Sequence, residues 1–186
     1  LYLIAWDISQ HFSTQWQGTG FKGQITASGK KEALLIKTFL DQFGKVTSEV
    51  VISGPQEIEG EDLNPPVASL DQSIEKFWNA MMEKYGNEKA YNRQIIGAFK
   101  NTENPEILIV VDKLLTGFDA PRNVVLYIAR SLKEHTLLQA VARVNRLHPG
   151  KDFGYIVDYY GVVTQLHDAL ELYSSLDGKF DAEDLE

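Results

Sequence analysis

Cysteine is absent from the 186 residues of this sequence. Its absence excludes a disulfide framework and every zinc, iron–sulfur or thiol-nucleophile site built on cysteine. The histidines are few, and their spacing matches no metal-binding motif; they are His11, His135, His148 and His167. We therefore expect no metal site made by this chain alone.

Long hydrophobic runs are absent as well. No stretch approaches the roughly 20 apolar residues that a membrane-spanning helix requires. The amino terminus, Leu1, has neither an initiator methionine nor the basic region of a signal peptide. We expect a soluble intracellular protein without membrane contact, and we expect the sequence to be a fragment of a longer chain.

The composition is that of one globular domain, with 44% apolar and 24% charged residues. The net charge of −8 argues against a protein that coats nucleic acid non-specifically. One stretch differs, because residues 130–151 contain five basic side chains and only one acidic side chain, Glu134. We interpret this stretch as a local anion-binding site.

Helical and strand patterns alternate along the chain. Helical spacing of apolar residues predicts helices at residues 1–16, 30–43, 71–85, 88–99 and 133–147. Short apolar or β-branched runs predict strands at residues 23–28, 49–53, 106–111, 123–128 and 153–158. The last three runs have no polar alternation, which is typical of strands buried on both faces. The order predicts an α/β three-layer sandwich, a parallel sheet of about five or six strands with helices on both faces.

The ligand crevice of such a sheet lies beyond the carboxyl ends of its strands. We therefore expect functional residues directly after Ala27, Ser53, Val111, Ile128 and Asp158.

A polar loop, residues 111–121, follows the strand that we expect to be central. Gly117 permits a close backbone approach to a ligand, Thr116 offers a hydroxyl and Asp119 a carboxylate. This combination suits a nucleotide or a nucleic-acid backbone. An ordinary loop rich in turn residues explains it about equally well.

The predicted helix at residues 133–147 has one polar face and one apolar face, and the apolar face carries Leu137, Leu138, Val141, Val144 and Leu147. Arg143, Arg146 and Gln139 fall on the polar face. Two guanidinium groups one turn apart can grip phosphate oxygens. A solvated face is the alternative interpretation. Because the helix follows a buried strand and has few other polar residues, we favour anion binding, with both guanidinium groups projecting toward the crevice at the carboxyl edge.

Three segments resemble motifs of superfamily 2 helicases. Residues 139–146 (QAVARVNR) resemble motif VI, residues 115–121 (LTGFDAP) resemble motif V, and residues 23–28 occupy the position of motif IV. Within this superfamily, the sequence resembles more specifically the restriction (R, motor) subunit of type I restriction–modification enzymes. It is carried there by residues 112–121, 132–139 and 150–158, and it extends from about residue 21 to residue 161.

The resemblance implies that residues 1–186 form the helicase C-terminal domain, the second RecA-like lobe of a double-stranded DNA translocase in a prokaryotic cytoplasm. Residues 162–186 are a candidate start of a C-terminal helical extension. ATP and Mg²⁺ would be shared with a first RecA-like lobe outside this sequence. The other implied partners are a nuclease domain of the same chain, double-stranded DNA, and the methyltransferase and specificity subunits.

The resemblance also implies roles for residues that match the ATP-binding motifs. Arg143 and Arg146 would act as arginine fingers on the γ-phosphate, and Gln139 would orient them or the attacking water. Gly117 and Asp119 would approach the nucleotide sugar and couple it to the DNA track.

A second set of matching residues would lie near DNA phosphates; these are Thr116, Ser28 and Lys30. One departure from the pattern is Ala142, where many superfamily 2 members have glycine before the first finger. Alanine is compatible with a helix at this position.

Several motifs of a complete motor are missing from the sequence. No GxxxxGK[ST] phosphate loop is present, since residues 28–31 lack the upstream glycine and the hydroxyl after lysine. An acidic DExx box and a PD-(D/E)xK nuclease core are also missing. The chain would therefore hold half of an ATP site, and alone it should bind no cofactor, hydrolyse no ATP and cut no DNA.

Two alternatives stay open. The chain could be the second lobe of another superfamily 2 helicase or translocase, although residues 150–158 argue against this. It could also be a free-standing α/β binding module or a small nucleotide-dependent enzyme, and the isolated chain would then bind a ligand.

Overall fold

The computed structural model describes residues 1–60, 72–115 and 119–164, without the side chains of residues 134 and 135. The chain forms five parallel strands in the order β2-β3-β1-β4-β5. The strands are β1 (Lys22–Ala27), β2 (Ser48–Val51), β3 (Ile107–Val110), β4 (Asn123–Ala129) and β5 (Tyr155–Asp158). The predicted parallel sheet is confirmed, and the fold is a RecA-like α/β sandwich.

Five helices accompany the sheet. They are α1 (Tyr2–Gln15), α2 (Lys30–Phe43), α3 (Gln72–Tyr85), α4 (Glu88–Asn101) and α5 (Glu134–Val144). Helices α1 and α2 bury their apolar residues against one face of the sheet, and α4 and α5 bury theirs against the other. None of the helices in the described ranges is both long and apolar enough to cross a membrane.

Strand β3 shows why the apolar runs carry no polar alternation. Ile107 and Ile109 pack in the core beneath α1 and α2, whereas Leu108 and Val110 pack beneath α4 and α5. Because helices cover both faces, both sets of side chains must be apolar.

The central strand is β1, which pairs with β3 on one side and β4 on the other. The expectation that the strand before residue 111 is central was therefore wrong. The burial of β1 is not evident from its sequence, because half of its residues are polar. Lys22, Gln24 and Thr26 are nevertheless all buried. Their polar groups are bonded internally; for example, Asn123 Nδ2 donates to Gln24 Oε1 over 3.0 Å.

Strand β5 was expected to be buried on both faces, and this expectation was wrong. Among the described residues it pairs with β4 alone, and 40% of Tyr155 is exposed. Ile156 and Val157 are only partly buried, each against the core on one face of the sheet. Tyr155 instead joins an aromatic cluster, in which it contacts Trp16 and Phe153 at centroid distances of 4.9 and 5.0 Å.

Helix α5 ends at Val144, three residues earlier than predicted. Asn145 is its C-cap, and the Asn145 side-chain oxygen accepts a hydrogen bond from the Gly154 N–H over 3.1 Å. As a result Leu147 lies beyond the helix and is 86% exposed. Leu138, also expected on the apolar face, is 47% exposed.

Gly154 fits against the end of α5 because it lacks a side chain. A Cβ atom there would lie 2.3 Å from the carbonyl oxygen of Val144. We expect Gly154→Ala to lower the free energy of unfolding by about 1–3 kcal/mol, because a backbone atom rather than a flexible side chain must move. Urea denaturation of the purified chain measures the change.

Gly97, inside α4, provides the matched control. A Cβ atom there meets nothing within 4 Å, and alanine favours a helix over glycine by about 0.5–1 kcal/mol. Gly97→Ala should therefore stabilise the chain. Equal effects of the two substitutions would contradict the packing described for Gly154.

Two lysines are buried at the amino edge of the sheet. Lys22 Nζ donates to Pro105 O over 2.8 Å, and Lys151 Nζ donates to Asn123 O over 2.7 Å. Burial, followed by the nearby Arg122 guanidinium, lowers the pKa of Lys22 to about 8. Burial alone lowers the pKa of Lys151 to about 8.

The free energy of unfolding should therefore rise with pH from about 8, the pKa of both lysines in the folded chain, toward 10.5, their pKa in the unfolded chain. In the unfolded chain both ammonium groups regain the pKa of 10.5. Above about pH 8 the unfolded state then binds more protons than the folded state, so that a higher pH favours folding. We expect a slope of roughly 1 kcal/mol per pH unit near pH 8 for Lys22 and Lys151 together, measured by urea denaturation at several pH values.

The double variant Lys22→Met/Lys151→Met should flatten this slope, whatever its stability at a single pH. Lys45→Met, at an exposed lysine, should leave the slope as it is. A double variant with the slope of the unmodified chain would show that other groups cause the pH dependence.

Candidate functional site

The carboxyl edge of the sheet, where the ligand crevice was expected, is crossed by the loop that follows β2. Gly60 of this loop lies over the ends of three strands. A Cβ atom at Gly60 would be 2.1 Å from Ser28 O, 2.6 Å from a Val111 methyl and 2.9 Å from an Arg130 guanidinium nitrogen. Its φ of +66° is also a conformation that glycine tolerates best.

Asp112 and Arg130 join this loop to the ends of β3 and β4. Asp112 accepts a hydrogen bond from Arg130 Nη2 on one carboxylate oxygen and from the Gly60 N–H on the other, each over 2.6 Å. We call Asp112, Arg130 and Gly60 the edge network. The Arg130 side chain is only 7% exposed, whereas that of Asp112 is 51% exposed.

A second carboxylate caps the ends of β2 and β3. Glu59 is buried, and it accepts hydrogen bonds from the backbone N–H groups of Ser53 at 2.7 Å and Lys113 at 3.2 Å. The Lys113 ammonium in turn pairs with Glu88 at the start of α4. The loop after β2 therefore fills this part of the edge with the chain's own carboxylates.

Arg146 and Asp119, predicted from separate segments, lie next to each other. Arg146 Nε is 3.7 Å from Asp119 Oδ1, and the two side chains are 51% and 56% exposed. An exposed ion pair of this kind contributes at most about 1 kcal/mol. Either side chain can therefore exchange its partner for another charged group at little cost.

The expectation that Arg143 and Arg146 project beyond the carboxyl ends of the strands was wrong. Strands β4 and β5 are parallel, so α5 must return the chain from the carboxyl edge to the amino edge. Arg146, two residues past α5, therefore lies toward the amino edge. Asp119 lies there too, because Pro121 O bonds to Lys151 and Arg122 O bonds to the first residue of β1.

Arg143 and Gln139 remain on α5 and are half-buried. Because the helix ends at Val144, Arg146 does not continue their helical row as predicted. The structure thus brings Arg146 to Asp119, whereas Arg143 and Gln139 lie one and two turns back along the helix.

Of the residues expected near DNA, Ser28 and Lys30 lie at the carboxyl edge. The Ser28 hydroxyl donates to Glu32, and the buried Lys30 ammonium donates to the carbonyl oxygens of Gly54, over 2.7 Å, and Glu57. Thr116 and Gly117 lie outside the described residues. The roles assigned to these four residues stay predictions.

The basic stretch at residues 130–151 is divided between the two edges. Arg130 and Lys151 are buried and bonded inside the chain. Lys133 and Arg146 are exposed, and Arg143 is half-buried. Within the described part of the chain, no three histidine or carboxylate side chains are arranged to hold a metal ion.

Sequence reasoning assigned no role to the edge network. The position of Asp112 and Arg130 in the sequence could have indicated them, because both are charged residues that directly follow buried strands. Glu59 and Gly60 gave no comparable signal, since their loop is rich in glycine, proline and glutamate and its path over the sheet is set by tertiary contacts.

Residues 32–161 match the family model described as "Type I restriction enzyme subunit R domain 3". The endonuclease subunit of the type I restriction enzyme MjaVIIIP of Methanocaldococcus jannaschii is 36% identical over 169 residues, which cover 90% of this chain and 16% of the relative. The HindI endonuclease subunit of Haemophilus influenzae is 28% identical over 180 residues, covering 95% of this chain and 16% of that subunit. The chain thus spans about one sixth of the length of these relatives.

Two solved structures share the fold. A fragment of an HsdR subunit of a type I restriction enzyme from Vibrio vulnificus YJ016 aligns with a TM-score of 0.57 and 19% identity, over 87% of this chain and 27% of that one. The Type ISP restriction-modification enzyme LlaBIII bound to DNA aligns with a TM-score of 0.50 and 15% identity, over 90% of this chain and 12% of that one. At these identities the likeness shows the fold alone. From the family match and the archaeal relative, the chain belongs to the R subunits of type I restriction enzymes, in which it corresponds to domain 3.

Proposed function

We propose that this chain is the second RecA-like motor lobe of an ATP-dependent double-stranded DNA translocase, within the R subunit of a type I restriction endonuclease. The observation that carries the proposal is the proximity of Arg146 and Asp119, 3.7 Å apart. These residues come from the segments that resemble motifs VI and V. In a motor of two lobes such residues would act together on one nucleotide.

The side chains at this place are suited to ATP. Arg146 is half-exposed and only loosely paired, so its guanidinium can turn from Asp119 to a phosphate. Asp119 can then accept a hydrogen bond from a sugar hydroxyl. The proposal places Gly117 beside the sugar as well, and it leaves the remaining contacts to ATP and Mg²⁺ to the first lobe.

ATP supplies the phosphoryl group whose transfer to water drives the motor. Arg146 and Arg143 would stabilise negative charge on the transferred group, the role of an arginine finger. Gln139, one turn before Arg143, would orient the guanidinium groups or the attacking water. The exposed position of Arg146 past the end of α5 lets it approach a neighbouring lobe without unfolding the helix.

Duplex DNA would lie along the carboxyl edge, beside Ser28, and Thr116 is proposed as a further contact to a DNA phosphate. Lys30 belongs to the same surface in the proposal, and its ammonium would have to leave the carbonyl groups of Gly54 and Glu57 to reach a phosphate. The further proposed partners are the nuclease domain of the same polypeptide and the methyltransferase and specificity subunits. The family membership and the length of the relatives support these partners.

The arginine-finger role is tested by Arg146→Ala in the full-length R subunit that contains this chain. We expect ATP turnover in the presence of duplex DNA to fall by about 10³–10⁵-fold, because the charge of the transferred phosphoryl group loses its stabilisation. Translocation should stop with it. A coupled ATPase assay and a triplex-displacement assay measure the two activities.

Arg93→Ala is the matched control, because Arg93 is an exposed arginine on α4. It should retain full activity. ATP turnover by Arg146→Ala within tenfold of the unmodified subunit would remove the arginine-finger role. Appreciable ATP hydrolysis by the isolated chain would favour a small nucleotide-dependent enzyme instead.

A further inference from the structure

The outer edge of β2 has no neighbouring strand among the described residues, because β2 lies at one end of the sheet. A groove of about 880 Å³ runs along the first half of this edge. Helix α2 and the residues that follow it form one wall of the groove, and α4 forms the other. We call it the β2 groove; its lining includes Lys37, Lys45, Ser48, Glu49, Gln94 and Ala98.

The main-chain polar groups of β2 point alternately toward β3 and toward the β2 groove. The Ile107 N–H donates to Thr47 O over 3.0 Å. Because successive peptide groups of a strand point to opposite sides in the plane of the sheet, Ser48 and Val50 direct their N–H and C=O groups away from β3. The position of Val50 O agrees, since it accepts a hydrogen bond from the Tyr91 hydroxyl on α4.

The chain covers the second half of this edge but not the first. The Tyr91 hydroxyl bonds to Val50 O, and the Lys113 ammonium donates to Ile52 O over 3.4 Å. Within the described part of the chain, no hydrogen bond is formed by Ser48 O or by the N–H groups of Ser48 and Val50. Such a row of main-chain donors and acceptors is the surface with which an added strand pairs.

The Ser48 side chain gives an independent indication of a ligand. Ser48 is 4% exposed, and its hydroxyl oxygen has no hydrogen-bond partner among the described residues. Buried hydroxyl groups are normally bonded, because an unsatisfied one destabilises the fold. A strand paired with Ser48 places its own side chain directly opposite, close enough for two hydroxyl groups to bond.

The neighbouring side chain, Glu49, determines the charge that the groove favours. Because side chains alternate along a strand, Glu49 lies on the face of the sheet where Val51 packs beneath α4, opposite to the face of Ser48. Glu106 adds a second carboxylate to the groove lining. Opposite charges directly across two strands stabilise their pairing. The β2 groove therefore favours a strand in which hydroxyl and basic side chains alternate.

The shortness of the open edge indicates where the strand comes from. Three main-chain hydrogen bonds hold a separate peptide weakly, because each strengthens binding by about tenfold at most and a free peptide loses its freedom on binding. A strand on the same polypeptide is present at an effective concentration in the millimolar range. Relatives in this family are about six times as long as this chain, so most of an R subunit is available to supply it.

We propose that the β2 groove binds an extended strand from the part of the R polypeptide outside residues 1–186, and that this strand continues the sheet beyond β2. Its main chain bonds to Ser48 and Val50. It carries a hydroxyl side chain opposite Ser48 and a basic side chain opposite Glu49. The inference goes beyond the motor function and rests on the family membership alone, so that the results at Arg146 do not bear on it.

Hydrogen exchange, followed residue by residue in the full-length R subunit and in the 186-residue chain, tests the proposal. The Ser48 and Val50 amides should exchange at least about tenfold more slowly in the full-length subunit, because they donate to the added strand. The Glu49 and Val51 amides point toward β3. They should be protected equally in the two proteins and serve as internal controls.

Charge variants of the full-length subunit separate strand pairing from general burial. Glu49→Lys should restore fast exchange at Ser48 and Val50, because the basic side chains of the strand then face a lysine. Glu49→Gln should give an intermediate rate, and it carries the measurement if Glu49→Lys does not fold. Asp152→Lys is the matched control, since Asp152 is exposed beside β5 at the other end of the sheet, and it should leave exchange unchanged.

A capped peptide of alternating lysine and threonine residues probes the β2 groove of the 186-residue chain directly. At millimolar concentration it should slow exchange of the Ser48 and Val50 amides. The same peptide N-methylated at every residue has no N–H to donate to Ser48 O, and it should have no effect. A peptide of alternating glutamate and threonine should also have none, because it places carboxylates opposite Glu49.

Several results would overturn the proposal. Equal exchange of the Ser48 and Val50 amides in the full-length subunit and in the 186-residue chain would show that no strand is added; if both amides are already protected in the chain, the occupant lies within residues 1–186. Protection that appears only after the methyltransferase and specificity subunits are added would assign the groove to a separate protein. An inactive lysine–threonine peptide, or an equally active N-methylated form, would contradict strand pairing.

Discussion

Parallel strand pairing is the constraint on which the rest of this structure depends. A chain that leaves one strand at the carboxyl edge must travel the whole height of the sheet before it can begin the next parallel strand. Between β4 and β5 helix α5 makes that return, and it therefore delivers Arg146 to the amino edge. Between β3 and β4 residues 111–122 make the return, so that Asp112 lies at the carboxyl edge and Asp119 near the amino edge.

This constraint divides the charged residues into two groups with different surroundings. At the carboxyl edge, Asp112 and Glu59 are bonded to backbone N–H groups and to a buried guanidinium, so their positions are fixed. Toward the amino edge, Arg146 and Asp119 are half-exposed and loosely paired.

The buried polar residues of the sheet follow from the same architecture. Lys22 and Lys151 donate to backbone carbonyl groups at the amino edge of the sheet. Each long aliphatic stem packs in the interior while its ammonium satisfies acceptors that would otherwise be buried without a bond. Within residues 130–151, Arg130 and Lys151 are buried and bonded inside the chain, so the basic composition of this stretch overstates the charge available to a ligand.

The amino-acid sequence by itself determined the parallel α/β architecture, the positions of the five strands within a few residues, and the family. Apolar runs without polar alternation are typical of strands in a sheet that is covered by helices on both faces. The family is recognisable because the motif residues have characteristic types and spacing. Sequence did not determine that β1 is central, because its polar residues hide its burial, or that α5 ends before Arg146, because a contact with Gly154 decides this. Only the tertiary structure revealed the edge network, since Gly60, Asp112 and Arg130 come from three distant segments and meet only when their strands are paired.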